Sequence, residues 1–402
     1  MKRVSLFGYG KTTKAIAKNI SNVIFYDDNC VKPFTDSNGF KIKPSSQFNP
    51  TYSDLEIVSP GIAPANPLIK QAKNLVSDYD YFSDKAPLSI WISGTNGKTT
   101  TTQMMQHLLK EKGSLAGGNI GVPLAELDKN APLWILETSS FTIHYTNIAK
   151  PNIYILLPIT PDHLSWHGDI DEYIKAKLKP LKSMREGEIA ILPEQYKNFH
   201  TDAHTISYKD EIDLATKLNI DISRIKFKGA FLLDALLAMG VDKILFDMVD
   251  YDKINSFVID PHRQEELKDF KDRLWVNDSK ATNIDATIVA IKRYSSSHIH
   301  LILGGDDKGV NLAPLFEFIK KNNITIYAIG SNKEKLHKLS NSYKINSILS
   351  KNLKDAILKI DKNLMINEVA LLSPAAASLD EFNSYAQRGE QFKDTILKLS
   401  SF

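Results

Sequence analysis

The feature that most constrains the fold of this sequence is a repeated alternation of short apolar segments with segments of helical periodicity. After residue 261, strand-like stretches ("LWVND", "IHLILGG", "ITIYAIGS", "EVALLSP") alternate with helical ones ("ATIVAIKRY", "LAPLFEFIKKN", "LKDAILKI"). Such alternation favours parallel sheets covered by helices. The same order opens the chain and returns near residue 87, where "LSIWIS" precedes "TTTTQMMQHLLKEKG". The sequence therefore predicts an α/β protein. Its 402 residues exceed one ordinary core, so two or three domains are expected.

Composition excludes several classes of protein. Hydrophobic residues make up 43% and charged residues 24%, and the net charge of +3 is spread along the chain, so no nucleic-acid-binding arm is predicted. The single cysteine, Cys30, excludes an intrachain disulfide and favours a reducing compartment. No apolar run approaches the roughly 20 residues that span a bilayer. The apolar run in the first residues is too short for the hydrophobic region of a secretory signal. We therefore expect a cytoplasmic protein without membrane insertion.

The stretch "ISGTNGKTTTTQ", residues 92–103, is typical of a phosphate-binding loop between a strand and a helix. Lys98 would reach the terminal phosphates and the Thr99 hydroxyl would ligate Mg²⁺. The common form of this loop has a further glycine five residues before Gly97, where this chain has Ile92. A glycine-rich turn with an incidental lysine is the alternative, and it is disfavoured because strand, loop, lysine, threonine and helix all coincide. The predicted phosphate-binding loop consists of Gly94, Thr95, Asn96, Gly97, Lys98, Thr99 and Thr100.

The first turn, "GYGKTT", resembles a dinucleotide-binding turn only in part. Thr13 occupies the position of the third glycine in the G-x-G-x-x-G pattern, which argues against NAD. Asp27, at the end of the next predicted strand, could contact a ribose. A tight turn without a ligand is an equally good interpretation of the spacing.

Potential metal ligands follow the phosphate loop. Glu137 ends a predicted strand in "ILETSSF", where a carboxylate would suit Mg²⁺. Asp162, His163, His167 and Lys177 follow in "ITPDHLSWHGDIDEYIKAKLKPL". Taken singly, each favours an ordinary role: Glu137 as a surface acid, His163 as a capping or core histidine and Lys177 as a solvated lysine.

Together these strings resemble the Mur ligase family. The resemblance rests on "SGTNGKTTT", "LETSSF", "TPDHLSWHG", "PHR", "NDSKATN", "GGDDKG" and "SPAAASLDEF…QRGEQF", and it covers nearly the whole chain. The shorter phosphate loop is normal in this family. The order of the strings is most similar to members that add D-glutamate to UDP-N-acetylmuramoyl-L-alanine. At "AFLLDALLA", Asp234 stands where such proteins often carry the second asparagine of an "HNxxN" segment near the adenine.

The resemblance implies three domains, each with a mostly parallel sheet flanked by helices. These are a UDP-sugar-binding Rossmann-like domain at 1–84, a central P-loop ATPase domain at 85–260 and a C-terminal Rossmann-like domain for the amino acid at 261–402. It further implies ATP as a substrate and two Mg²⁺ ions. Thr99 and Glu137 would ligate one ion, and Glu137, His163 and a carbamylated Lys177 the other.

The remaining site residues are carried over from the resemblance by position. Catalytic roles fall on Lys98, Glu137, His163 and Lys177. Further ATP contacts fall on Arg263 and Asp278. UDP-sugar contacts fall on Gly10, Lys11, Asp27, Gly61 and Asn119. D-glutamate contacts fall on Lys280, Thr282, Lys308, Ser378 and Tyr385.

The implied activity is ATP-dependent amide-bond formation through an acyl phosphate, in the synthesis of peptidoglycan precursors. The protein is expected to be a monomer. The partners would be UDP-N-acetylmuramoyl-L-alanine and D-glutamate. Two alternatives stay open: a related Mur-type or folylpolyglutamate-type ligase with a different acceptor, and a nucleotide-binding relative that has lost catalysis. The retained Glu137, His163 and Lys177 argue against the second.

Overall fold

The computed structural model describes residues 2–119, 121–307 and 309–399. Contacts divide the chain into two compact units, one ending at Phe257 and the other beginning at Val258. The first unit holds two six-stranded sheets and the second holds one, counted over the described residues. The predicted domain limits after residues 84 and 260 stay predictions.

The first sheet has the strand order β3-β4-β2-β1-β5-β6 and is parallel except at the pairing of β3 with β4. All four residues of its central strand, "VSLF", are buried, because helices cover both faces of a parallel sheet. The strands are β1 (Val4–Phe7), β2 (Val23–Asp27), β3 (Phe34–Thr35), β4 (Lys41–Pro44), β5 (Leu55–Val58) and β6 (Leu75–Val76). The helices are α1 (Lys11–Ala17), α2 (Pro67–Gln71) and α3 (Asp78–Phe82).

The second sheet is entirely parallel, in the order β12-β11-β10-β7-β9-β8. Its strands are β7 (Leu88–Ser93), β8 (Ser114–Gly118), β9 (Leu133–Glu137), β10 (Ile153–Leu156), β11 (Ile189–Pro193) and β12 (His204–Tyr208). Its helices are α4 (Lys98–Leu109), α5 (Ser140–Tyr145), α6 (Leu164–His167), α7 (Ile170–Leu178), α8 (Glu211–Leu218), α9 (Ala230–Phe246) and α10 (Tyr251–Ser256). Since β7 lies between β9 and β10, the carboxyl ends of these strands meet at one edge, where α/β proteins bind ligands.

The third sheet has the order β13-β14-β18-β15-β16-β17, with only β13 antiparallel to its neighbour. Its strands are β13 (Glu265–Lys268), β14 (Leu274–Asn277), β15 (Ile299–Gly304), β16 (Ile324–Ile329), β17 (Ser347–Leu349) and β18 (Val369–Leu372). Its helices are α11 (Ile284–Arg293), α12 (Ala313–Ile319), α13 (Lys333–Tyr343), α14 (Leu353–Asp361) and α15 (Tyr385–Leu397). Apolar clusters on both faces of this sheet confirm the predicted α/β architecture. Within the described part of the chain, no helix is both long and apolar enough to cross a bilayer.

Candidate active site

The phosphate loop runs from the end of β7 to the start of α4. Gly94 and Gly97 have φ angles of 140° and 87°, in the region that favours glycine. A Cβ atom on Gly97 would lie 2.7 Å from Oδ1 of Asp234, so the α9 side chain approaches the loop closely. Ile92, at the position of the absent glycine, is a fully buried residue of β7. The strand therefore continues through that position, and the chain turns at Gly94 instead.

The Lys98 amine folds back across the loop. Its Nζ donates to the carbonyl oxygens of Gly94 at 3.0 Å and Thr95 at 2.7 Å. Lys98 is also the first residue of α4, whose first N–H groups have no partner within the helix. A cation and a helix N-terminus thus converge on one loop, which suits a polyphosphate.

Glu137 lies beside this loop because β9 pairs with β7, with Glu137 opposite Ile92. The residue is 4% exposed, and its two carboxylate oxygens have different partners. Oε2 accepts the Thr99 hydroxyl at 2.8 Å, and Oε1 accepts the Asn119 amide Nδ2 at 2.8 Å. The Thr99 hydroxyl and the Glu137 carboxylate form a pair of hard oxygen donors of the kind that Mg²⁺ prefers.

Lys177 is the least expected member of the site, because its side chain is 1% exposed. Its amine donates to the Gly94 carbonyl at 2.7 Å and lies 3.4 Å from Ser93 Oγ, so Gly94 accepts from both Lys177 and Lys98. Burial, and then the charge of Lys98, hold the pKa of Lys177 well below its usual value. The interpretation of Lys177 as a solvated surface lysine is therefore wrong.

His163 precedes α6 in a left-handed conformation, with φ of 55°. Its ring packs on Phe141, with 4.8 Å between centroids, and its Nε2 lies 3.6 Å from Asp162 Oδ2. His167, one helical turn later, hydrogen-bonds Ser140 Oγ at 3.0 Å. Burial, followed by the charges of neighbouring cations, lowers the pKa of His167 to about 4, so this ring is neutral near pH 7.

In the first turn, the residue at the position of the third glycine forms a hydrogen bond within the turn. The Thr13 hydroxyl donates to the Gly8 carbonyl at 2.7 Å, which explains a threonine at that position. Asp27 accepts the Tyr9 N–H at 2.6 Å and the Asn29 N–H at 2.8 Å through different oxygens. Asp27 therefore orders this turn directly, whatever else it contacts.

The other predicted UDP-sugar residues lie near the interface of the first two sheets. Gly10 is the residue before α1, and Lys11 Nζ donates to the Gly121 carbonyl. The exposed Gly61 accepts the Trp166 indole N–H at 3.4 Å. Asn119 contacts Glu137 and so lies at the predicted metal ligands.

In the second unit, Asp278 follows β14 and is buried. Its oxygens accept the Gln264 N–H at 3.2 Å and the Ser373 hydroxyl at 2.7 Å. Burial outweighs these hydrogen bonds and raises the pKa of Asp278 to about 7. The nearby Arg263 is half-buried, and its charge acts in the opposite direction on the same carboxyl.

Of the predicted D-glutamate residues, two are in direct contact: Lys280 Nζ lies 4.0 Å from the centroid of the Tyr385 ring. Thr282 is exposed ahead of α11, and Ser378 is buried after β18. Lys308 lies outside the described residues.

Comparison with known proteins identifies the family. The profile of the Mur ligase middle domain matches residues 92–230, which include the phosphate loop, Glu137, His163 and Lys177. A UDP-N-acetylmuramoylalanine–D-glutamate ligase of Campylobacter jejuni is 54% identical over 401 residues, covering 99% of this chain and 100% of that protein. The chain belongs to the Mur ligase family. The Helicobacter pylori protein of the same name is 47% identical over 98% of this chain and 100% of its own.

Solved Mur ligase structures share the fold at low sequence identity. MurF of Thermotoga maritima, in complex with ADP, is 15% identical with a TM-score of 0.59, covering 98% of this chain and 97% of that one. MurF of Acinetobacter baumannii is 13% identical with a TM-score of 0.62, covering 98% and 90%. The predictions of family and fold class are thus confirmed.

Sequence reasoning missed a buried cation beside the predicted D-glutamate residues of this Mur ligase. Arg388, in "QRGEQF", is 1% exposed and burial lowers its pKa to about 10. Its guanidinium donates to Ser279 Oγ at 2.9 Å, to the Ser279 carbonyl at 2.9 Å and to the Ala376 carbonyl at 3.2 Å. Arg388 therefore ties together the loops that carry Lys280 and Ser378. Its place in the quoted "QRGEQF" string was the available signal.

Proposed function

We propose that the protein is an ATP-dependent ligase that joins D-glutamate to UDP-N-acetylmuramoyl-L-alanine in the cytoplasm. The observation that carries this proposal is the convergence of Lys98, Thr99, Glu137 and Lys177 on one loop. The names of relatives 54% and 47% identical over almost the full chain support the choice of substrates.

The oxygen donors of the site fit Mg²⁺. Thr99 and Glu137 would hold one ion, and Glu137, His163 and a carbamylated Lys177 a second. Bound there, Mg²⁺ would neutralise phosphate charge and polarise the transferred phosphoryl group. Carbamylation of the neutral Lys177 amine joins Nζ to the carbon of CO₂ and releases one proton, so that a carboxylate-like oxygen ligand replaces the amine; burial, and then the charge of Lys98, favour the neutral amine by lowering its pKa. The support for this step is the position of the buried amine, which donates to the same carbonyl as Lys98.

The reaction we propose has two steps. A carboxylate oxygen of the muramoyl-alanine attacks the γ-phosphorus of ATP, the bond to the ADP oxygen breaks, and an acyl phosphate forms. The amine of D-glutamate then attacks the acyl carbon, and phosphate leaves with the electron pair of the broken C–O bond as the amine loses its proton. Lys98 stabilises the negative charge that accumulates when a carboxylate approaches a triphosphate.

The remaining assignments belong to the same proposal. Arg263 and Asp278 contact ATP. The UDP-sugar is bound by Gly10, Lys11, Asp27, Gly61 and Asn119. The glutamate carboxylates are bound by Lys280, Thr282, Lys308, Ser378 and Tyr385. We expect the enzyme to act as a monomer, which size-exclusion chromatography with light scattering would check.

Phosphate release tests the proposed activity. The protein is mixed with ATP, Mg²⁺, UDP-N-acetylmuramoyl-L-alanine and D-glutamate, and each component is omitted in turn. We expect release only when all four are present. Replacing D-glutamate by L-glutamate or L-lysine separates this activity from ligases with another acceptor. Release that does not require both the muramoyl substrate and the amino acid, or ATP binding without turnover in every mixture, would refute the assignment.

A further inference from the structure

A second group of potential metal ligands lies in the unit that begins at Val258. His298 immediately precedes β15 and His300 lies within it, so their i, i+2 spacing places both rings on one face of the sheet. Glu368 immediately precedes the neighbouring strand β18. Pairing of Ile299 with Val369 brings these three side chains together. Among the described residues, they form the one group of histidine, cysteine or acidic side chains spaced to hold a metal ion.

The donor atoms are close to the spacing that a metal ion needs. His298 Nδ1 lies 2.8 Å from Glu368 Oε1, and His300 Nε2 lies 3.0 Å from Glu368 Oε2. One ligand atom from each residue can be chosen so that all three lie within 4.8 Å of one another. Ligand atoms around a tetrahedral Zn²⁺ are separated by roughly 3.3 Å, given bonds of about 2.0–2.1 Å. Small side-chain rotations would therefore place the three donors around an ion.

The outer nitrogens of both rings are held by hydroxyl groups from the next strand. His298 Nε2 lies 3.0 Å from Thr325 Oγ1, and His300 Nδ1 lies 3.1 Å from the Tyr327 hydroxyl. Ligating histidines generally donate their other N–H to such a partner, which fixes ring orientation. A hydroxyl both donates and accepts, so Thr325 and Tyr327 suit the tautomer required with or without an ion.

The cluster is reachable but not fully exposed. The side chains of His298 and Glu368 are 23% and 19% exposed, whereas that of His300 is 3% exposed. An ion would enter past His298 and Glu368 and meet His300 at the buried end. Three protein ligands would leave the fourth tetrahedral position for water on the exposed side.

We propose that His298, His300 and Glu368 bind one divalent first-row transition-metal ion, with Zn²⁺ the best match to two imidazoles and a carboxylate. The ion would join the beginnings of β15 and β18. It lies at the amino ends of strands whose carboxyl ends lead to the predicted substrate residues. Six residues of β15 separate the two ends by roughly 20 Å, at about 3.3 Å per residue. The site is therefore distinct from the predicted D-glutamate residues of the same unit.

Metal titration of the full-length protein tests the proposal. The protein is stripped with chelator, desalted and titrated with Co²⁺, whose visible absorption reports tetrahedral coordination, and with Zn²⁺ by calorimetry. The H298Q and E368Q variants test the ligands. H337Q is the matched control, because His337 is a histidine of the same unit that contacts Ser347 at 2.7 Å outside the cluster. E137Q shows whether the ion is instead bound at the ligase site.

We expect one Zn²⁺ per chain, retained in H337Q and E137Q and weakened at least ~10-fold in H298Q and E368Q. His298 is partly exposed, so H298Q should keep the wild-type circular dichroism spectrum, and ligase activity should be unchanged. If E368Q does not fold, T325V replaces it, since loss of the hydroxyl should weaken binding without removing a ligand. Binding that H298Q leaves unchanged, binding lost in E137Q, or no Zn²⁺ binding by the wild-type protein would each overturn the proposal.

Discussion

Replacing Thr99 by alanine should impair the ligase without disturbing its fold. The substitution removes the hydroxyl that donates to Glu137 Oε2 at 2.8 Å, while Asn119 still donates to the other carboxylate oxygen. Glu137 therefore keeps one partner that fixes its position. A hydrogen bond to a charged group is worth about 1.5–3 kcal/mol. We expect its loss to raise the activation free energy by a similar amount, which corresponds to about a 10- to 150-fold loss of kcat/KM. Removal of a proposed Mg²⁺ ligand should also raise the Mg²⁺ concentration needed for half-maximal activity.

The assay is steady-state phosphate release at several Mg²⁺ concentrations, with Tm measured in parallel. T99S is the matched control, because serine keeps the hydroxyl and should retain activity within several-fold of wild type. Wild-type kcat/KM and an unchanged Mg²⁺ requirement in T99A would show that this hydroxyl has no part in the site. Equal losses in T99A and T99S would attribute the effect to packing of the methyl group instead.

Three further outcomes are expected. K177A should abolish most turnover and recover part of it with added short carboxylates, measured by phosphate release; full activity would remove Lys177 from the mechanism. Burial raises the pKa of Asp278 from its usual value of 3.8 to about 7, so its contribution to stability is present below pH 4 and lost as pH rises through 7. D278N should therefore remove a decline of at most about 1.4 kcal/mol per pH unit between pH 4 and 7, measured by urea unfolding of both proteins; parallel pH profiles would contradict this. R273M should cost about 3–5 kcal/mol of unfolding free energy, because Arg273 is paired with the buried Asp269 at 2.7 Å, whereas R3A at the solvent-exposed pair with Asp54 should leave Tm almost unchanged; similar losses of Tm in the two variants would refute the comparison.

The phosphate loop shows why part of the site was predictable. Its function depends on residues that are consecutive in sequence, so strand, glycines, Lys98, Thr99 and helix could be read directly from the chain. Glu137 was predictable for a related reason, since the end of a neighbouring parallel strand lies at the same sheet edge. The resemblance already accounted for the missing glycine at Ile92, and the structure adds the physical reason, because β7 extends through that position.

Lys177 and Asp234 show where local sequence is insufficient. Both lie on helices, α7 and α9, whose contacts with the loop depend on how these helices pack. Asp234 stands at an expected asparagine position, and its carboxylate accepts the Thr101 hydroxyl at 2.7 Å beneath the loop. Nothing within a few residues of either side chain indicates this environment. The resemblance to Mur ligases pointed to Lys177, but the burial of its amine was visible only in three dimensions.

The His298–His300–Glu368 cluster depends partly on sequence spacing and partly on tertiary structure. Alternation along a strand placed two histidines on one face by their spacing alone, because side chains repeat every second residue. Glu368 is 68 residues from His300 in sequence, and the parallel pairing of β15 with β18 brought it to them. Sequence determined the strands, the helices and the predicted phosphate-binding loop, since these depend on neighbouring residues. Tertiary structure decided which distant side chains share a low-dielectric environment, because burial and charge pairing arise only when the sheets and helices pack.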